Sequence, residues 1–301
     1  MSEQRTKRIL MIHGCGPKPS AEELSGLWRE ALLSGLERDQ PASVERFDQV
    51  DSQLLYYADR VESFVQPEFD PLLDLENRRQ CLKELTTLKK SKDFRRRSYD
   101  ELPGKTAVQE FVMDAGASLG LGRLLVKRRL PELHAYLSGD DWGVDVRGKL
   151  KAHLRGYLER GDDVMLIGHC LGSAIAYDAL WSLAREDGLA SRVSTFVSLG
   201  SPLSDQGVRG RLLGASRKDL ERFPNNMMSW QNLSAEDDYV CHDKTVADDF
   251  KAMLQHRMVG DISDHTIYNL AVRYGRSNAH SSLGYLVHPR MTAILADWLA
   301  R

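Results

Sequence analysis

No stretch of the 301 residues approaches the length of a membrane-spanning helix, and the first eight residues are polar and charged, with no apolar signal-peptide core behind them. Cysteine is scarce. Cys15, Cys81, Cys170 and Cys241 are scattered and form no Cys-x-x-Cys pair. That spacing excludes a zinc knuckle and argues against a disulfide scaffold, so a reducing compartment is the default and a cytoplasmic location is expected. An excess of one charge is missing too: 41 Lys and Arg against 43 Asp and Glu leave a formal net charge of −2, which argues against bulk attraction to nucleic acid or an anionic membrane. There is no internal repeat, no low-complexity segment, no His-Glu-x-x-His, no Gly-x-Gly-x-x-Gly and no P-loop lysine. The sequence therefore calls for no metal and no organic cofactor. What remains is the composition of a soluble globular protein, 42% apolar and 28% charged, at a length that fits one large α/β domain or two small ones.

Two apolar runs end in glycine-rich turns. Val164 to Ile167 reads as a buried parallel strand, followed by Gly168-His169-Cys170-Leu171-Gly172 and a helix carrying Ala174, Ile175, Ala176, Ala179, Leu180 and Leu183. Glycines two residues either side of Cys170 let neighbouring backbone pass close to a strained turn, and the following helix N-terminus points N–H groups at developing negative charge. The plainer alternative is that Cys170 is a small buried core residue, which would gain nothing from flanking glycines. The second run, Arg8 to Ile12, leads into His13-Gly14-Cys15-Gly16. Ser20 and Glu23 form a capping box ahead of a helix with Leu24, Leu27, Trp28, Ala31 and Leu32 on one stripe.

Further strands are expected at Leu54 to Tyr57, at Arg192 to Ser201, and over Met227 to Leu233, with a helix at Asp145 to Leu158. Alternating strands and helices predict an α/β fold, a mostly parallel sheet with helices on both faces. Residues 61–139 differ in character: charge rises and apolar residues recur at helical spacing, as in a helical cap insertion. Within it, Val108 to Leu130 suits a mobile apolar-faced lid or a helix packed on the core. The basic clusters at Lys89–Arg97 and Lys127–Arg129 fit a solvated helix face better than a nucleic-acid patch.

The turn at Cys170 resembles the nucleophile elbow Gly-x-Ser-x-Gly of the α/β-hydrolase superfamily, in its intracellular lipase/esterase form Gly-His-Ser-Leu-Gly-Ser, with cysteine in the serine position. The resemblance covers most of the chain outside 61–139. It implies that His13-Gly14-Cys15-Gly16 is the oxyanion loop, with the N–H groups of Cys15 and Leu171 forming the hole and His13 buttressing the loop. It also implies an acid and then a histidine downstream. Trp230, Asn232 and Leu233 match the strand before the family's acid turn and Asp238-Tyr239-Val240 matches the turn, so Asp238 is the expected acid, with adjacent Asp237 the competitor. Among nine histidines, His280 lies on a late polar loop before the terminal helix, where the family places its base. His265 reads as a helix-start residue, and His288 stands behind them.

The resemblance thus implies a single α/β-hydrolase domain that cleaves an ester, thioester or lipid-like acyl bond of a small-molecule or lipid-like substrate through an acyl-enzyme on Cys170. A natural thiol hydrolase, a serine enzyme carrying a Ser→Cys replacement, and a site retuned for another job all fit this motif. The rival from another class is a non-hydrolytic ligand-binding or regulatory module built on the same pocket, and a dienelactone-hydrolase-like enzyme stands third. On this fold Cys15 and Cys170 are neighbours, so an oxidant could link them.

Overall fold

The computed structural model of the protein describes residues 5–64, 69–104 and 130–301. In chain order its main elements are β1 (Lys7–Ile12), α1 (Ala21–Asp39), β2 (Asp51–Leu55), α2 (Pro71–Thr86), α3 (Pro131–Ser138), α4 (Asp141–Glu159), β3 (Asp163–His169), α5 (Leu171–Arg185), β4 (Val193–Leu199), β5 (Met227–Ala235), β6 (Asp261–Ile267), α6 (Ser282–Leu286) and α7 (Pro289–Ala300). The six strands form one sheet in the order β2-β1-β3-β4-β5-β6, and every pairing is parallel.

Period-two alternation sends successive side chains to opposite faces, and each face has its own apolar layer. Ile9, Met11, Met165 and Ile167 pack with Leu24, Trp28 and Leu32 of α1 and Trp298 of α7. Leu10, Ile12, Val164 and Leu166 pack with Leu150 and Leu154 of α4 and with Ala174, Ile175 and Leu180 of α5. Covered on both sides, the central strands read as continuous apolar runs rather than alternating ones. Among the described residues, no helix is long and apolar enough to cross a membrane.

Local rules explain the helix ends. Ser20 Oγ accepts from the Glu23 N–H and the Glu23 carboxylate accepts from the Ser20 N–H, closing the capping box at the start of α1. Helix α4 begins at Asp141, four residues before the expected start. Gly143 lets it pass the Tyr136 ring, where a Cβ would lie 2.7 Å from Cδ2. Strand β2 runs from Asp51 to Leu55 rather than Leu54 to Tyr57. Tyr56 and Tyr57 leave the ladder to hold the loop after β1: the Tyr57 N–H donates to His13 Nε2, its hydroxyl to His13 O, and the Tyr56 hydroxyl to Pro19 O.

The described parts of 61–139 pack on the sheet layers. Helix α2 buries Leu75, Cys81, Leu82 and Leu85 beside α1 and α6. Its Asp74–Arg78 pair is buried. Arg78 Nη2 reaches Pro17 O at 3.3 Å, and Arg273 joins Asp74 from the short hairpin at Val272–Ser277. Of the expected lid, residues 108–129 lie outside the described residues, as does the basic cluster at 127–129. The cluster at 89–97 is exposed at its lysines and arginines, with Arg96 and Arg97 paired to Asp100 and Glu101 one helical turn on.

Candidate active site

The sheet order reverses between β1 and β3: β2 lies beyond β1 on one side, and β4, β5 and β6 beyond β3 on the other. In an open parallel sheet the crevice at the carboxyl ends of the strands, where the order reverses, is the place for a ligand. His13 to Gly16 follow β1 there, Cys170 follows β3, Gly200 follows β4 and Asp238 follows β5.

Cys170 has φ 53° and ψ −126°, a left-handed value that few non-glycine residues adopt. Its N–H donates to Leu199 O at 2.9 Å, and its carbonyl accepts from the Ser173 N–H at 3.0 Å and the Ser173 hydroxyl at 2.6 Å. The flanking glycines are required sterically. A Cβ on Gly168 would sit 2.6 Å from Ser173 Cα, and one on Gly172 would sit 2.5 Å from His13 O. Gly14 is a third such position, where a Cβ would collide with that of Cys170. Cys170 is fully buried. Leu171 opens α5, and the first N–H groups of a helix have no partner within it.

The loop after β1 is fixed from several sides. His13 is buried, stacks on Tyr57 with ring centroids 4.0 Å apart, and has Nδ1 2.9 Å from Gly14 O. Since Nε2 accepts from Tyr57, the proton sits on Nδ1, which donates to Gly14 O. Burial first, then the charge of Lys18, holds this histidine well below its ordinary range and neutral. The Lys18 ammonium donates to Cys15 O at 2.5 Å and Gly16 O at 2.6 Å, while buried Glu132 accepts from the Gly16 N–H at 2.8 Å. With its carbonyl drawn toward Lys18, Cys15 lies beside Cys170 and acts on its thiol through both side chain and main chain.

Asp238 and His280 meet from loops 42 residues apart. His280 Nδ1 lies 2.9 and 2.8 Å from the two carboxylate oxygens, which leaves Nε2 free to face Cys170. The Asp238 side chain is fully buried. It also accepts from the Tyr285 hydroxyl at 2.6 Å and the Val240 N–H at 3.0 Å. Gly200, at φ 51°, leaves room for the pair: a Cβ there would be 2.8 Å from Asp238 Oδ2 and 3.2 Å from His280 Nδ1. The histidine loop is gripped on its main chain. Buried Asn269 donates to Ala279 O and Ser281 O, both at 2.9 Å, and His169 Nε2 donates to His280 O at 3.0 Å.

Burial opposes charge on His280, but the Asp238 carboxylate and Cys170 beside it outweigh that, and its pKa is pushed up to about 10. At Cys170 the hydrogen bond from the Cys15 thiol acts first and the positive imidazole adds to it. Together they overcome burial and hold the thiol well below its ordinary range. Cys15 moves the opposite way, raised by donating to Cys170 and by burial. These shifts favour a Cys170 thiolate beside a His280 imidazolium, with the Cys15 thiol keeping its proton. Lys18 is lowered to about 8 by burial and then by Arg78.

The structure brings all five expected site residues, Cys15, Cys170, Leu171, Asp238 and His280, to one crevice. Asp237 is turned away, at φ 58° with its carboxylate on the Tyr99 hydroxyl. His265 is not at a helix start: it lies on β6, where backbone pairing to β5 overrides the local Ser-Asp capping pattern, and its ring meets Gln231 Oε1 at 2.9 Å. His288 caps α7, accepting from the Arg290 N–H. Tyr285, Asn269, Gly200, His169 and Lys18 were not identified as site residues from the sequence. Gly200 opens the Gly-Ser-Pro turn at 200–202 and Tyr285 follows His280 by five positions, the two sequence signals that could have found any of them. No protein-family model matches this chain, and a search of curated proteins returns no match.

Proposed function

We propose that this protein is an acyl hydrolase of the α/β-hydrolase type, cleaving an ester, thioester or lipid-like acyl bond through a covalent intermediate on Cys170. The observation that carries this reading is the Asp238–His280 pair set beside the buried sulfur of Cys170 at a positive-φ turn. The thiolate attacks the acyl carbon, and the carbonyl oxygen gathers charge between the Cys15 N–H and the Leu171 N–H. His280 then gives its Nε2 proton to the departing alcohol or thiol. Water entering in its place loses a proton to the same nitrogen and resolves the acyl-enzyme. Asp238 holds the Nδ1–H tautomer throughout and stays ionised. Residues 61–139 are assigned as the cap that selects the acyl group.

The test is turnover of p-nitrophenyl acyl esters, short and long, by the natural chain and by Cys170→Ser. Turnover by cysteine that serine loses supports a site tuned for sulfur. Turnover that rises with serine marks Cys170 as a replacement in a serine hydrolase. Silence from both, with ligand binding unchanged in His280→Ala, overturns the hydrolase reading in favour of a binding module.

A further inference from the structure

Two of the four cysteines do not behave as core residues. Cys81 and Cys241 are buried, and burial pushes both thiols up, Cys241 within 3.6 Å of the Tyr285 hydroxyl. Cys15 and Cys170 instead face each other across the crevice. The Gly14 main chain packs directly on Cys170 Cβ, which sets the adjoining Cys15 beside it, and Cys15 packs against the same cluster that holds Cys170. Cys15 is a partly exposed residue at the edge of the site, while Cys170 is fully buried beside a histidine. Acyl chemistry uses the Cys15 main chain only and leaves its sulfur without a role.

We propose that Cys170 and Cys15 form a second reactive centre in the same crevice, in which a small hydroperoxide oxidises Cys170 and Cys15 resolves it to a disulfide. The Cys170 thiolate attacks the terminal peroxide oxygen and the O–O bond breaks. Sulfur loses two electrons and becomes the sulfenic acid, and the alkoxide or hydroxide that leaves takes the Nε2 proton of His280. His280, now neutral, accepts the proton of Cys15. The Cys15 sulfur attacks the Cys170 sulfur, the S–O bond breaks, and the hydroxide leaves as water with that proton. One hydroperoxide is reduced to an alcohol or water, and two thiols become one disulfide. With Gly14 against Cys170 Cβ the two residues lie side by side, and the sulfurs have to close to the ~2.05 Å of a disulfide bond. The reaction needs the thiolate–imidazolium pair and not the acyl chemistry. If Cys170 also carries acyl transfer, the disulfide silences it until a thiol reductant restores both sulfurs.

The experiment treats the reduced full-length protein with hydrogen peroxide, then counts free thiols after denaturation and maps disulfide-linked peptides by mass spectrometry. The expected result is loss of two of the four thiols, a peptide pair joining Cys15 to Cys170, and full recovery with dithiothreitol. In Cys15→Ser the Cys170 sulfenic acid should accumulate as a dimedone adduct and run on to sulfinic acid, which dithiothreitol does not reverse. Retention of four thiols, a disulfide involving Cys81 or Cys241, or Cys170 sulfinic acid beside a free Cys15 in the natural chain would each overturn the proposal. Mapping of the natural chain decides the matter even where Cys15→Ser fails to fold. Ester turnover by the reduced protein is a separate reading: its absence refutes the hydrolase and leaves the disulfide map untouched.

Discussion

The Cys170–His280 pair makes a prediction about stability against pH that needs no substrate. His280 is raised from 6.5 to about 10 in the folded protein, so on its own it contributes stability that is complete below pH 6.5 and lost as pH rises toward 10. Cys170 is depressed from 9.0, so its contribution is complete above pH 9 and lost as pH falls through its lowered value. Between 6.5 and 9 the folded pair holds one proton, on His280, and the unfolded pair also holds one, on Cys170. Proton uptake is equal and the pair contributes no slope. Cys170→Ser removes the titrating sulfur. The folded imidazole then keeps a proton that the unfolded chain sheds, and stability should fall by about 1.4 kcal/mol per pH unit for as long as Asp238 alone keeps the ring charged. From pH 6.5 to 8 the variant should lose about 2 kcal/mol relative to the natural chain. Urea unfolding of both proteins across this window provides the measurement. Lys18, lowered to about 8 mainly by burial and then by Arg78, is present in both proteins, with the Cys170 charge a lesser influence on it, so most of its contribution cancels in the difference. Parallel curves would show that no thiolate–imidazolium pair exists in the folded protein.

Four further outcomes follow from the same geometry. Asp238→Asn should lower ester turnover about 10⁴-fold by offering His280 the wrong tautomer, whereas Asp237→Asn, which loses only the Tyr99 contact, should stay within about threefold. Asn269→Ala strips donors from Ala279 O and Ser281 O and an acceptor from the Ala271 N–H. It should cost about 3 kcal/mol in urea unfolding, and a His280 displaced by about an ångström should cost roughly a hundredfold in turnover. Gly172→Ala drives a methyl into the carbonyls of Ile12 and His13 and should destabilise by about 3 kcal/mol. Gly148→Ala, on the exposed face of α4 with nothing within 4 Å, should stabilise by about 0.5–1 kcal/mol.

What was legible in the sequence is what local physics determines. The apolar runs at Ile9–Ile12 and Val164–Ile167 had to be buried strands, and Ser20 with Glu23 could only cap a helix, because neither depends on distant neighbours. The β2 boundary slipped because Tyr56 and Tyr57 suit a strand by propensity, while their hydroxyls and the Tyr57 N–H are claimed by the loop between His13 and Pro19. His265 failed for the same reason in reverse, a capping pattern overridden by sheet pairing. Asp238 and His280 were found through the order of motifs along the chain rather than through any property of their own segments. The residues that hold them were invisible: Asn269 and Tyr285 grip partners 10 to 50 positions away, and no periodicity marks such a contact.

The costs concentrated at Cys170 argue against a packing role. A core thiol needs an apolar niche and nothing else. Cys170 instead sits at a positive φ, requires glycine at 14, 168 and 172, and buries a charge pair whose desolvation must be repaid by its neighbours. The repayment is specific to an anionic sulfur. Cys15 and His280 both draw the Cys170 thiol down, and the Asp238 that raises His280 is itself held by the Tyr285 hydroxyl and the Val240 N–H. A serine hydroxyl in the same place would stay protonated near neutral pH and leave the imidazole with one counter-charge instead of two. Against burial, Asp238 raises His280 first and the Cys170 sulfur adds to it, so serine leaves a charged ring without the compensating thiolate, and this is why the Cys170→Ser pH profile separates a site built for a thiol from one that merely tolerates it.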